Sequence, residues 1–385
     1  MKQLESIYRA TFLATALAVV TGLTACGGGG GGGSANTFTA SCSDGTTKTS
    51  SVSLADAQSQ CSTASTALST NTPTANYASS DKLNVFNQLN ADRLRCGFGS
   101  MQQNTKLDTA AQGHSDYMAL NTLDPTHTQT SSLLGFTGTT LTDRLAAAGY
   151  SYTIASEALN RVDYGPWFTQ GGSVFPQSAT PLAATNNLRR LYSTVYHLSG
   201  LMSGYREVGI GVSIKDTTGG GYTSFLKYVV IEEGTPSTQL NQRIASDALV
   251  TFPCEGVSGL NPYFGPENPN PFPSVDLSAT PYGTPVYLMS AIGTNLTVTS
   301  SSITQRGVGP VPTTQVNTTN DPMASGSLDR LASNQVFVVP TTHLANNATY
   351  DVVLSGTNSG LITATNPTGS FTRSFSFQTG TYTSD

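Results

Sequence analysis

Four histidines stand in 385 residues, at 114, 127, 197 and 343, and imidazole is the side chain best suited to proton transfer or metal ligation near neutral pH. His114 is followed directly by Ser115, but neighbours on a helix point in different directions and cannot make a nucleophile and base pair. No G-x-S-x-G, H-E-x-x-H or Cys-His signature occurs anywhere in the chain. His127 lies in TLDPTHTQT, a threonine-rich loop, and His197 in VYHLSGLM. Neutral imidazoles together with one or two carboxylates would suit zinc or a similar ion with a coordination position left open. Sequence spacing alone does not bring them together.

The elements that must position these groups follow from periodicity. Leu83, Val85, Phe86, Leu89 and Leu94 form one helical stripe that Gly97 ends. A second helix runs from Leu107 to Asn121, with Leu107, Ala110, Ala111, His114, Tyr117 and Met118 on its apolar side. On that stripe His114 reads as a packed histidine, and Tyr117 and Met118 as core. A third helix covers LTDRLAAAGY with Gly149 as its stop, and a fourth covers 186–202 through Leu188, Leu191, Val195 and Leu198. Alternating or β-branched runs at 207–215 and 224–234 read as strands. Helices followed by strands predict an α+β layer domain over 81–256. The stretch 257–284, with prolines at 262, 266, 269, 271, 273 and 281, reads as a linker. The remainder, 285–385, offers only short strands and predicts a β-sandwich.

Residues 1–25 read as a targeting segment, with Lys2, Arg9 and an apolar run from Thr11 to Leu23 that is short for a membrane span. Leu23-Thr24-Ala25-Cys26 resembles a bacterial lipobox, which makes Cys26 the acylated first residue of the mature protein; an ordinary signal peptide cut near Ala25 is the alternative. Gly27 after it implies routing to the outer membrane of a Gram-negative envelope. The glycine run that follows has no side chains to pack and reads as a tether within a segment, 26–80, ahead of the helices. Only 11% of residues are charged, the net charge is -5, and no basic patch appears, which leaves nucleic acid without electrostatic support. An exported chain meets an oxidising compartment, so Cys42, Cys61, Cys96 and Cys254 suggest two disulfides. Three pairings are open; Cys42 with Cys61 and Cys96 with Cys254 is favoured, and the absence of any CxxC pair argues against a zinc site.

The run LNVFNQLNADRLRCGFGSMQQNTKLDTAAQGHSDYMALN resembles the opening of CAP domains, the superfamily of cysteine-rich secretory, antigen-5 and pathogenesis-related proteins, through Asn90 and Arg93 and then Leu107, Ala110, Ala111, His114, Ser115 and Met118. Further segments with His127, with Arg144 and Glu157, and with His197 follow in the family's order. The resemblance implies an α-β-α sandwich and a cleft lined by His127, Glu157 and His197, which in some members binds a divalent cation such as zinc or calcium. The family's other glutamate has no counterpart between Gly165 and His197, and Glu207, Glu232 and Glu233 are the carboxylates that could replace it. Arg144 would reach a cleft carboxylate or fix the loop before Glu157. The C-terminal part, from VVPTTHLANNATYDVVLSG to FSFQTG, is similar to all-β immunoglobulin-like sandwich domains, with His343 on its surface. Together these imply a lipid-anchored, non-enzymatic envelope protein that binds a lipid or other small apolar ligand, a cation, or an envelope or surface protein. A metal-dependent hydrolase of peptide or cell-wall material using the same cleft is the rival reading, and a purely structural bridge between anchor and partner the third.

Overall fold

Helix starts and stops in the computed structural model follow local chemistry. It describes residues 4–5, 8–11, 37–41, 47–53, 65–164, 183–219, 222–323 and 330–381. The lipidation expected at Cys26 and the disulfide expected between Cys42 and Cys61 lie outside the described residues. Strands β1 (Leu4–Glu5), β2 (Tyr8–Thr11), β3 (Phe38–Ser41) and β4 (Thr47–Ser50) precede the first helix, and β3 and β4 pair with each other. Helix α1 (Ser80–Cys96) buries Val85, Phe86 and Leu89 and stops where Gly97 takes a left-handed φ of 82°, a conformation that a Cβ disfavours. After β5 (Gln102–Gln103), α2 (Thr105–Asn121) starts at Asn104, whose side chain accepts from the Lys106 N–H. In α3 (Leu141–Ala147) Thr140 and Asp143 cap each other reciprocally.

The longest strands then build the sheet on which the site stands. β6 (Tyr152–Tyr164) is followed by α4 (Thr185–Tyr192) and α5 (Tyr196–Leu201) and then by the antiparallel pair β7 (Glu207–Gly219) and β8 (Tyr222–Pro236), and the sheet order is β2-β6-β8-β7-β5. Successive side chains of a strand point to opposite faces. Leu159, Tyr228 and Val230 therefore meet Ala111, Tyr117 and Met118 of α2 on one face. Ala158, Val229 and Ile231 meet Leu188 and Leu191 of α4 and Leu198 and Leu201 of α5 on the other. Each such buried aliphatic contributes about 1.5–3 kcal/mol. Gly211 lets α2 come close, since a Cβ there would stand 2.1 Å from the Ala111 carbonyl oxygen.

The one helix expected over 186–202 is two. Ser193 and Thr194 turn their hydroxyls back onto the carbonyls of Arg190 and Leu191 at 2.8 Å, which offers the backbone an alternative to continued helix. A second helix starts after Val195, where a buried carboxylate from far along the sequence receives the first N–H groups of α5.

Downstream, β9 (Leu249–Phe252), β10 (Val257–Leu260), β11 (Glu267–Asn268), β12 (Val286–Ser290), β13 (Leu296–Gln305), β14 (Gly309–Val311), β15 (Thr313–Asn317), β16 (Gln335–Pro340), β17 (Thr349–Asn358) and β18 (Ser370–Thr379) complete the chain. They form a five-stranded sheet, β10-β18-β17-β13-β14, and a four-stranded one, β15-β16-β12-β9. Each sheet thus takes an edge strand, β9 or β10, from residues 249–260, across the boundary expected near residue 256. The stretch expected as a linker holds β10 and β11 and sends Phe264 and Leu277 into the core. One apolar cluster runs through both halves; Phe98 stacks on Tyr287 at 6.1 Å, and Cys96 and Cys254 are joined with their Cα atoms 5.5 Å apart.

These observations correct the expected fold class, an α+β chain of an α-β-α sandwich followed by an all-β immunoglobulin-like sandwich. The described residues are mostly β, with about 35% in strands against about 20% in helices and with several antiparallel sheets. The physical reason lies in the lengths: α3, α4 and α5 span only 7, 8 and 6 residues, while β6, β7 and β8 span 13, 13 and 15. Apolar positions that fit a helical stripe over 186–202 are shared between two short helices, and the β-branched runs extend beyond the strands first read from them.

Candidate functional site

His127 is held from both sides. Its Nδ1 lies 2.7 Å from Oε1 of Glu157, and its own carbonyl accepts from Nη1 of Arg144 at 3.0 Å. Arg144 closes the triangle by donating from Nη2 to the second oxygen of Glu157 at 2.6 Å. All three side chains are buried, Arg144 and Glu157 fully. Glu157 comes from β6, on the face covered by α2; Arg144 comes from the capped helix α3, and His127 from the loop that joins α2 to α3. Burial alone would raise the pKa of Glu157, but the Arg144 charge and the His127 hydrogen bond outweigh it and hold the carboxylate ionised well below the ordinary range. The carboxylate on Nδ1 fixes the orientation of the His127 ring.

Directly across the β6–β8 ladder from Glu157 stands Glu232. It is fully buried, no donor among the described residues reaches either of its oxygens, and Arg144 Nε stays 3.9 Å away. Burial, and then the neighbouring Glu157 charge, push its pKa far up, so Glu232 is the protonated member of the pair. Two adjacent buried carboxyls cannot both ionise, and one proton lets Glu232 donate to Glu157. Its neighbour Glu233 points to the opposite face, where Ser156 Oγ donates to it at 3.1 Å, and Glu207 accepts from Tyr150 and Asn104, each at 2.9 Å. Of the three possible substitute glutamates, only Glu232 joins the His127 centre.

His114 sits on α2 beside this centre. Its Nε2 donates to the Thr126 carbonyl at 2.7 Å and its Nδ1 accepts from Gln129 at 2.9 Å, which fixes one neutral tautomer. Burial is the main cause that lowers its pKa from 6.5 to about 4. Between those values the unfolded chain binds a proton that the folded chain refuses, so stability rises with pH across the window and falls as pH drops through it. The contribution is about 3 kcal/mol, complete above the ordinary histidine value. Urea unfolding of wild type and His114→Gln between pH 7 and pH 4 should show a shallower acid loss in the variant; equal slopes would remove His114 as the source.

His197 has a different partner. It lies on α5, whose Leu198 and Leu201 pack on the sheet face opposite to Glu157, and its Nδ1 is 3.0 Å from Oε1 of Glu267. Glu267, from β11, also accepts the backbone N–H groups of Val195, Tyr196 and His197 at 2.8–3.1 Å. The expected metal set of His127, Glu157 and His197 is therefore not brought together, and among the described residues no three His, Cys, Asp or Glu side chains group as metal ligands. Glu267 escaped sequence reasoning because it falls in the proline-rich stretch read as a linker. Its one local signal is a carboxylate among prolines and asparagines in a chain with few charges.

The arrangement can hold one ionised and one protonated carboxyl, orient one imidazole and fix the backbone of the 122–140 loop. A polar hollow of about 420 Å³ lies elsewhere, against Asn104, Lys106, Tyr150 and Glu207, and touches none of His127, Glu157 and His197. No family model matches the chain, and no curated protein matches it either.

Proposed function

We propose that the chain is a lipid-anchored envelope protein whose His127 centre fixes a binding surface and performs no reaction. The observation that carries this reading is the closure of the centre on itself. Both oxygens of Glu157 are engaged, by His127 and Arg144, and the second hand of Arg144 holds the His127 backbone. A metal-dependent hydrolase needs three converging ligands with an open position, and His197 instead pairs with Glu267. What remains is a rigid polar post that anchors the loop between α2 and α3 to the sheet. The ordered motifs that resemble CAP domains support a binding role, with a lipid, another small apolar ligand or an envelope protein as partner. The lipobox around Cys26 and the glycine run after it support a place on the outer membrane of a Gram-negative envelope; maturation there removes residues 1–25, so β1 and β2 belong to the precursor and the mature sheet is β6-β8-β7-β5. Fold-level likeness carries little weight for function, so the anchor is tested directly. Wild type should fractionate with membranes and require detergent for release, whereas Cys26→Ser should appear in the soluble fraction. Retention of that variant in membranes would remove the lipid anchor from the account.

A further inference from the structure

The loop that the His127 centre anchors carries an exposed apolar turn. Leu133, Leu134 and Phe136 are 37%, 70% and 38% exposed, and Leu120, at the end of α2, is 54% exposed. Leu120 lies beside the turn, its Cδ1 3.0 Å from where a Cβ of Gly135 would stand, and Gly135 has the left-handed φ of 73° that the turn needs. The turn is built to stay in place. Gln129 accepts from the Thr137 N–H at 2.7 Å, Thr130 N–H donates to the Tyr117 hydroxyl at 2.8 Å, and Asn121 donates to the Leu134 carbonyl at 2.9 Å. These contacts hold four large apolar side chains in water, against the usual gain from burying them.

The chemistry around the tip says what covers it. From Pro125 to Thr142 there is no Lys, Arg, Asp or Glu, and serines and threonines supply most of the polar groups. Such a segment enters the boundary between lipid headgroups and acyl chains without stripping water from an ion, while its hydroxyls remain among the headgroups. A stable protein interface takes roughly 800 Å² from each partner, more than four side chains on one convex turn provide. A glycine-rich chain as long as the one expected from Gly27 to Asn36 reaches on the order of 20 Å, so an anchor at Cys26 would keep residue 37, where the domain's described chain resumes, within that reach of a bilayer.

We infer that Leu133, Leu134 and Phe136, with Leu120, form a membrane-contact tip that seats the domain on the bilayer to which Cys26 tethers it. The inference rests on the lipid-anchor reading for bringing the bilayer within reach. Full-length protein on phosphatidylcholine vesicles tests it with Phe136→Trp as a reporter, the single native Trp167 of wild type setting the background. With lipids brominated on the acyl chains, F136W should lose emission beyond that background, to the same extent at low and high salt, and Leu134→Asp in the F136W chain should abolish the extra loss. No extra loss, or an equal loss with Leu134→Asp present, would overturn the tip. A blue shift of F136W emission without loss would place the turn against protein and overturn it as well. Flotation of Cys26→Ser separates the two readings. Protein that floats only through Cys26 with an unquenched reporter keeps the anchor and sinks the tip; Cys26→Ser that floats with a quenched reporter keeps the tip and sinks the anchor.

Discussion

Replacing Arg144 by methionine is expected to lower the unfolding free energy by about 3–5 kcal/mol, the usual cost of leaving one charge of a buried pair without its partner. The variant strands the ionised Glu157 inside the protein and leaves the His127 carbonyl without its donor. Adding Glu157→Gln should recover part of the loss, because the stranded charge is then gone, and the two changes should be far from additive. Glu232→Gln should shift stability by less than about 1 kcal/mol at pH 7, since a neutral amide replaces a neutral acid there. Urea titration of wild type, Arg144→Met, Glu157→Gln, the double variant and Glu232→Gln reads all of this. A loss below about 1 kcal/mol for Arg144→Met would mean that the pair behaves like a solvent-exposed one, and the closed centre would not stand.

The second large effect belongs to Cys96 and Cys254. The bond joins the C-terminal end of α1 to the segment between β9 and β10, across 158 residues. A cross-link over a loop of that length removes much of the freedom of the unfolded chain, about 5 kcal/mol in the chain-entropy account. Cys96 is 6% exposed and lies in the core shared by both halves. Guanidinium unfolding of a Cys96→Ala/Cys254→Ala variant should show a loss of that order, with α1 and the β9–β10 corner the first to lose protection in hydrogen exchange. A change within about 1 kcal/mol would show that the rest of the core already fixes this corner.

The parts of this protein that were legible from sequence are those set by neighbours along the chain. α1 and α2 were readable from their apolar stripes, Gly97 from its place after the last periodic residue, and β12, β13, β16, β17 and β18 from short β-rich runs between turn residues. What escaped depends on contacts between distant segments. The break at Ser193 to Val195 needs Glu267, and nothing near Val195 announces that carboxylate. Glu232 reaches Glu157 only because the β6–β8 register sets them opposite each other, and a shift of one residue would have sent Glu233 there instead. The same register makes the neighbours Glu232 and Glu233 serve opposite faces of the sheet. The pairing of Cys96 with Cys254 agrees with the favoured arrangement, and the core that surrounds it crosses the boundary near residue 256 that the prolines suggested.

The central claim is that His127, Glu157 and Arg144 satisfy one another while His197 serves Glu267, so that the centre holds a loop in place. Elemental analysis of full-length protein purified without chelator, for wild type and His127→Ala, tests it most directly. The account predicts that neither protein carries zinc, calcium or another divalent ion at one per chain. One ion per chain in wild type, lost in His127→Ala, would contradict it.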